Sequence, residues 1–122
     1  MQLNFYKEYH HKIFSSDEIA LAISKSVELL NNTKRIFFIG NGGSMAICSH
    51  MMEDFGKIGR FRTYSFSDPA LITCYANDYG YDKAIEEWLK LYFDENDLLV
   101  SISSSGNSMN IVNATQYAKN NG

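Results

Sequence analysis

The chain has 122 residues, 45% of them hydrophobic and 20% charged, the profile of one globular domain that buries roughly two thirds of its unfolded surface. Against 11 Lys and Arg stand 14 Asp and Glu, a net charge of −3, which argues against the basic stripe of a nucleic-acid binder. No apolar run approaches the ~18 residues of a membrane span, so neither nucleic acid nor membrane is an expected partner. The opening MQLNFYKEYHHK lacks the order of a signal peptide, and Cys48 and Cys74 have no CxxC spacing; a reducing cytoplasm is the expected location.

Residues 1–34 read as an N-terminal helical segment. The first 14 mix Phe5, Tyr6, Tyr9, Ile13 and Phe14 with charges, as in a helix that docks on a partner surface, and His10 and His11 should face solvent. Ser15 followed by Glu18 fits a capping box, and a helix to Asn31 carries Ile19, Ile23, Val27 and Leu30 on one face. This segment is the expected oligomer interface.

Residues 35–122 read as an α/β domain. The run Arg35-Ile36-Phe37-Phe38-Ile39 is continuous and β-branched or aromatic, which predicts a strand covered on both faces. A helix is expected over 45–57 and a second, more polar strand over 61–66, nearer an edge. Pro69 follows Ser67 and Asp68 at a helix start. That helix should run over 70–76 and break at Asn77-Asp78-Tyr79-Gly80, most simply a turn. A helix over 81–93, a turn at 94–97, a strand over 98–102 and a helix over 109–121 complete the pattern. Alternating strands and helices imply a parallel sheet with helices on its faces, a sandwich of three layers. The end at KNNG would normally lead into another strand, so the sandwich is expected to be truncated after its third strand and helix.

Two loops carry candidate chemistry. Gly40-Asn41-Gly42-Gly43-Ser44 follows a buried strand and opens a helix, where free amides and the positive dipole end suit a phosphate, a sugar hydroxyl or an oxyanion. It is neither a Walker A loop nor the spaced GxGxxG of dinucleotide folds. The alternative is a strand-to-helix turn that merely needs glycines. Ser103-Ser104-Ser105-Gly106-Asn107-Ser108 has the same placement. One cap needs one Ser, and the excess hydroxyls favour phosphate binding over capping. In a parallel sheet both loops fall at the carboxyl ends of strands, where ligands bind. His50 and Asp54, at i and i+4, can hold a metal or pair an acid with a base, or simply hydrogen-bond at the surface. Cys48, Met51, Met52 and Trp88 read as packing residues.

The stretches FIGNGGS, HMMED, SDPALITCYANDYGY and VSISSSGNS resemble the sugar isomerase (SIS) domain, and within it the phosphoheptose isomerases. The resemblance implies a three-layer α/β sandwich with a parallel sheet in a flavodoxin-like arrangement, a homo-oligomer, commonly a tetramer, with active sites near subunit contacts, and interconversion of sedoheptulose 7-phosphate with an aldoheptose phosphate for surface polysaccharide. By position it implies that Asn41, Gly42, Gly43 and Ser44 contact substrate. Asn77 and Asp78 would bind sugar hydroxyls. Ser103, Ser104, Ser105 and Ser108 would hold the phosphate, His50 and Asp54 zinc, and Asp54 would be the catalytic base. Two departures stand out. Asp54 replaces a Glu and is one methylene shorter; a displacement of about 1 Å can cost on the order of a hundredfold in rate. The family's later helix with a Gln and a His has no counterpart in these residues. The competing expectation is a non-catalytic SIS module that binds a phosphosugar or a protein partner, like the bacterial replication-initiator-associating proteins.

Overall fold

A computed structural model describes residues 2–122; Met1 and the side chains of Gln2, Leu3 and Phe5 lie outside the described residues, and with them the expectation for Phe5. The chain divides into two compact units, Met1–Asn32 and Thr33–Gly122.

The first unit holds α1 (Gln2–Phe14) and α2 (Asp17–Asn31). The capping box expected at Ser15 is not made. The Ser15 hydroxyl bonds back to the His11 carbonyl at 2.5 Å and closes α1, while Ser16 takes the N-cap position of α2 without a side-chain bond. A serine one turn past a helical carbonyl has that competing partner. Along α2, Ile19 and Leu30 are half-buried and Ile23 and Val27 exposed. His10 and His11 face solvent, and the His10 ring lies 4.4 Å from that of Phe14.

The second unit runs β1 (Arg35–Gly40), α3 (Gly43–Lys57), β2 (Arg62–Ser65), α4 (Pro69–Tyr79), α5 (Tyr81–Tyr92), β3 (Leu98–Ile102) and α6 (Met109–Asn121). The strands form one parallel sheet in the order β2-β1-β3, with Phe38 opposite Ser65 and Gly40 opposite Ile102. β1 is central, and Ile36, Phe37, Phe38 and Ile39 are at most 1% exposed. Burying each such side chain contributes about 1.5–3 kcal/mol. Strand periodicity splits them between two layers. Phe37 and Ile39 join Trp88, Leu89, Ile111 and Ala114 under α5 and α6, with Phe37 edge-on to Trp88 at 5.4 Å. Phe38 points the other way and meets Phe55 of α3 at 5.5 Å. The unit is therefore an α/β sandwich of three layers: α3, the sheet, and α4–α6.

Two boundaries differ from expectation. α3 begins at Gly43, two residues early: Gly42, at φ +53°, turns the chain straight into the helix, and a Cβ on Gly40 would lie 2.8 Å from the Ser44 carbonyl carbon. α4 continues to Tyr79, so Asn77 and Asp78 are helical rather than a turn. Gly80, at φ 79° and ψ 151°, makes the break alone, a conformation that other residues avoid.

At the amino ends of the strands, Arg35 donates from Nε and Nη2 to both carboxylate oxygens of Asp97, at 2.9 and 2.6 Å, and from Nη2 to Asp94 at 2.9 Å. The Asp94 amide adds a bond to Asp97 at 2.8 Å. This bidentate clamp ties β1 to the turn before β3. The hydrogen bonds it donates to Asp97 raise the Arg35 pKa above its ordinary value.

Candidate functional site

The carboxyl rim of the sheet has three strand-to-helix junctions, and they are built differently. After β2, Asp68 caps α4 by accepting from the amides of Ala70 and Leu71 at 2.9 and 3.0 Å. After β1, the N-cap position of α3 is Gly42, which has no side chain to offer. After β3, the N-cap position of α6 is Ser108, whose hydroxyl makes no capping bond. The two junctions singled out from the sequence are thus the two whose helix starts have no side-chain cap; the Asn41 carbonyl takes the Ser44 and Met45 amides of α3 at 3.0 and 3.4 Å, and the Ser108 carbonyl the Ile111 amide of α6 at 2.9 Å. They leave adjacent strands that end level, Gly40 opposite Ile102, so both open onto one rim.

Within the β3–α6 loop the serines shape the backbone. The Gly106 amide donates to Ser103 Oγ at 3.1 Å and the Asn107 amide to Ser105 Oγ at 3.2 Å. Each hydroxyl acts there as acceptor and keeps its O–H for another acceptor. Ser104 and Ser105 are exposed, Ser103 and Ser108 half-buried. A cleft of about 350 Å3 runs along the outer side of this loop, lined by Ser101, Ser103, Gly106, Thr115 and Lys119 among others.

Asn41 has a more constrained role than a free contact residue. Its Nδ2 donates to Asn110 Oδ1 at 3.0 Å, and Asn110 Nδ2 donates back to Asn41 Oδ1 at 2.8 Å. The Tyr81 hydroxyl donates to the same Asn41 Oδ1 at 2.9 Å. Asn110, in the first turn of α6, is only 3% exposed. Three elements therefore meet at one carboxamide: the β1–α3 junction, the start of α5 and the start of α6. The hollow behind it, between Gly40, Phe66, Tyr81 and Asn110, measures about 10 Å3, close to the smallest space that holds a water. Any larger ligand would lie on the open side of the rim. Neither Asn110 nor Tyr81 was singled out from the sequence. The only signal is a polar residue in the first turn of a helix whose other inward positions are apolar.

The remaining candidates stand apart from this cluster. His50 Nε2 and Asp54 Oδ2 are 3.4 Å apart on α3, with side chains 72% and 44% exposed. Asp54 lies ten residues beyond Ser44, which at helical rise is about 15 Å down α3 from the rim. Among the described residues no group of three or more His, Cys, Asp or Glu is placed to hold a metal ion. Asn77 and Asp78, in the last turn of α4, bond to each other at 2.9 Å, and Cys74 approaches Asp78. It is Tyr81, not either of these, that reaches Asn41. Cys48 is fully buried and burial pushes its thiol up, whereas Cys74 is exposed; a raised thiol is a poor nucleophile. Among the described residues no helix is long and apolar enough to cross a membrane.

Comparison with known proteins bears on this arrangement. The chain is 38% identical over 105 residues to a phosphoheptose isomerase of Fusobacterium nucleatum, covering 80% of this chain and 53% of that one. It is 36% identical over 113 residues to a phosphoheptose isomerase of Cytophaga hutchinsonii, covering 87% and 58%. The chain thus spans little more than half the length of these curated relatives. The solved phosphoheptose isomerase of Francisella tularensis superposes with a TM-score of 0.80 at 26% identity, over 98% of this chain and 67% of that one. That of Neisseria gonorrhoeae gives 0.70 at 26% identity, over 99% and 71%. The model of the SIS domain matches residues 7–122, and the chain belongs to the SIS domain family.

Proposed function

We propose that the chain is a phosphosugar-binding part of an aldose–ketose isomerase acting on a heptose phosphate. The observation that carries this is the pair of uncapped junctions on adjacent strands, beside a third that Asp68 caps. A capped helix start has spent its amides within the chain. At α6 only the Ile111 amide of the first turn bonds back, to the Ser108 carbonyl, so those of Met109 and Asn110 remain for an anion; at α3 the Ser44 and Met45 amides bond the Asn41 carbonyl, and that of Gly43 remains. In this reading Ser103, Ser104, Ser105 and Ser108 hold the phosphate with neutral donors. Asn41, Gly42, Gly43 and Ser44 meet the sugar, and Asn77 and Asp78 its distal hydroxyls. The relatives' names, phosphoheptose isomerase, agree with that ligand class.

The chemistry is proton transfer between neighbouring carbons. A base removes the proton from the carbon beside the carbonyl while the carbonyl oxygen takes up a proton to give an enediol; the neighbouring hydroxyl then gives up its proton to become the new carbonyl, and the base returns the carbon-bound proton to the former carbonyl carbon. The Asp54 carboxylate is the base in this reading. At about 15 Å down its helix, it lies farther from its own rim than a seven-carbon sugar phosphate extends. We therefore assign the base at each site to a neighbouring copy in a homo-oligomer, a tetramer by resemblance. The donor pair His50 and Asp54 suits zinc, but two ligands fall short of the three that proteins give a catalytic zinc, and no step is routed through a metal. The setting would be cytoplasmic, supplying heptose for surface polysaccharide.

A second reading, a phosphosugar-binding module without turnover, is favoured by the exposure of the His50–Asp54 pair and its distance from the rim. Calorimetric titration with sedoheptulose 7-phosphate, alongside an isomerisation assay, separates the two. Saturable binding with turnover supports the enzyme, and binding without turnover supports the module. No heat and no rise in melting temperature at millimolar ligand overturns both, since a ligand that binds only the folded state must stabilise it.

A further inference from the structure

The Asn41 carboxamide has a fixed hydrogen-bond account. A carbonyl oxygen has two lone pairs and an amide nitrogen two hydrogens. Both Oδ1 lone pairs are taken, by Asn110 Nδ2 at 2.8 Å and by the Tyr81 hydroxyl at 2.9 Å. One Nδ2 hydrogen is taken by Asn110 Oδ1 at 3.0 Å. What Asn41 keeps is a single N–H and no acceptor. The partner enforcing this cannot easily turn away, because Asn110 is 97% buried on a helix packed into the core and a buried amide left without its partner is costly.

We propose that Asn110 and Tyr81 are positioning residues that lock Asn41 as a donor-only contact, so that its carboxamide offers the bound sugar an N–H and accepts no hydroxyl hydrogen from it. The inference rests on the reading of the rim as a phosphosugar site and deepens it. An N–H held without an acceptor beside it favours an oxygen that gathers negative charge, as a sugar carbonyl oxygen does on passing to an enediol. The same lock also spans the two anion-binding junctions, because Asn41 belongs to one and Asn110 to the helix that opens the other. Losing it should therefore loosen the sugar contact while leaving the hydroxyls of the β3–α6 loop to bind phosphate as before.

The test uses the 122-residue chain with two probes, sedoheptulose 7-phosphate and inorganic phosphate, titrated across the mildly acidic to mildly alkaline range. Asn110→Asp keeps the size and the acceptor but, when ionised, replaces the donor to Asn41 Oδ1 with a repelling oxygen. Relative to the unmodified chain at alkaline pH, it should bind the sugar phosphate about tenfold more weakly and inorganic phosphate, which feels only the new charge on α6, by a smaller factor. As the pH falls and the carboxyl takes up its proton, the O–H restores the donor, and the ratio of variant to unmodified affinity should recover. Tyr81→Phe, at a half-exposed ring, should lose about threefold for the sugar phosphate, none for phosphate, and show no such recovery. Equal loss for both probes, no loss, or a loss by Asn110→Asp that does not recover with acid overturns the lock. Should Asn110→Asp fail to fold, Tyr81→Phe decides alone by the difference between the probes. If the unmodified chain binds neither probe, the rim reading fails and the lock's proposed role with it, an outcome distinct from failure of the variants.

Discussion

The two rims of the sheet put their polar groups to opposite uses. At the amino rim Arg35, Asp94 and Asp97 are charged and spend their bonds on one another, with the Asp97 side chain fully covered. At the carboxyl rim the β1–α3 and β3–α6 junctions carry amides and hydroxyls without a charged side chain, and neither helix start has a side-chain cap. Satisfied polar groups hold a fold together, while unsatisfied ones persist only where water or a ligand can reach them. The contrast separates structure from function along strands only five or six residues long.

The largest effect that tests this division is expected at the amino rim. Asp97→Ala leaves the Arg35 guanidinium partly buried with its main partner gone, and should lower unfolding free energy by about 3 kcal/mol in denaturant titration. The affinity of the folded protein for a sugar phosphate should not change; a drop there would show that the rims are coupled. Within the carboxyl rim the division sharpens to single caps. Asp68→Ala removes two amide bonds and should cost about 1 kcal/mol without affecting ligand binding. Ser108→Ala removes a hydroxyl that makes no capping bond and should leave the melting curve within a few tenths of a kcal/mol while weakening phosphate binding. The reverse pattern would make the serine a cap after all.

A small, pH-dependent effect lies away from both rims, on α5. Lys83 and then Lys90 hydrogen-bond Glu86 and hold its carboxyl below the usual glutamate range. A carboxyl whose folded-state pKa is depressed stabilises above its unfolded value and loses that contribution as pH falls through the folded one. The loss belongs below roughly pH 4 and, for a surface network, should stay under about 1 kcal/mol. Glu86→Gln should flatten that part of an acid-unfolding curve and leave ligand binding untouched.

What could be read from the sequence follows from how local each signal is. The uninterrupted run of β1 announced a strand covered on both faces, and every residue from Ile36 to Gly40 is buried. The hydroxyl and glycine loops announced themselves by excess, since one cap needs one serine. Local chemistry misled where two local partners compete: Ser15 bonds backward to His11 instead of forward into α2, and Asn77 and Asp78 stay helical because Gly80 suffices to end α4. The Asn41–Asn110–Tyr81 cluster was invisible because its members lie 69 and 40 positions apart in the chain. No periodicity carries information over that span. Only the strand register, Gly40 level with Ile102, brings them together.

The placement of the two sulfurs has a practical consequence. Cys48 is sealed on the buried face of α3 with its thiol pushed up, and Cys74 stands on the open side of α4. A thiol-reactive dye should therefore mark Cys74 at once and reach Cys48 only when the sandwich opens. The chain carries a built-in gauge of its own unfolding, in which the first label counts molecules and the second counts openings.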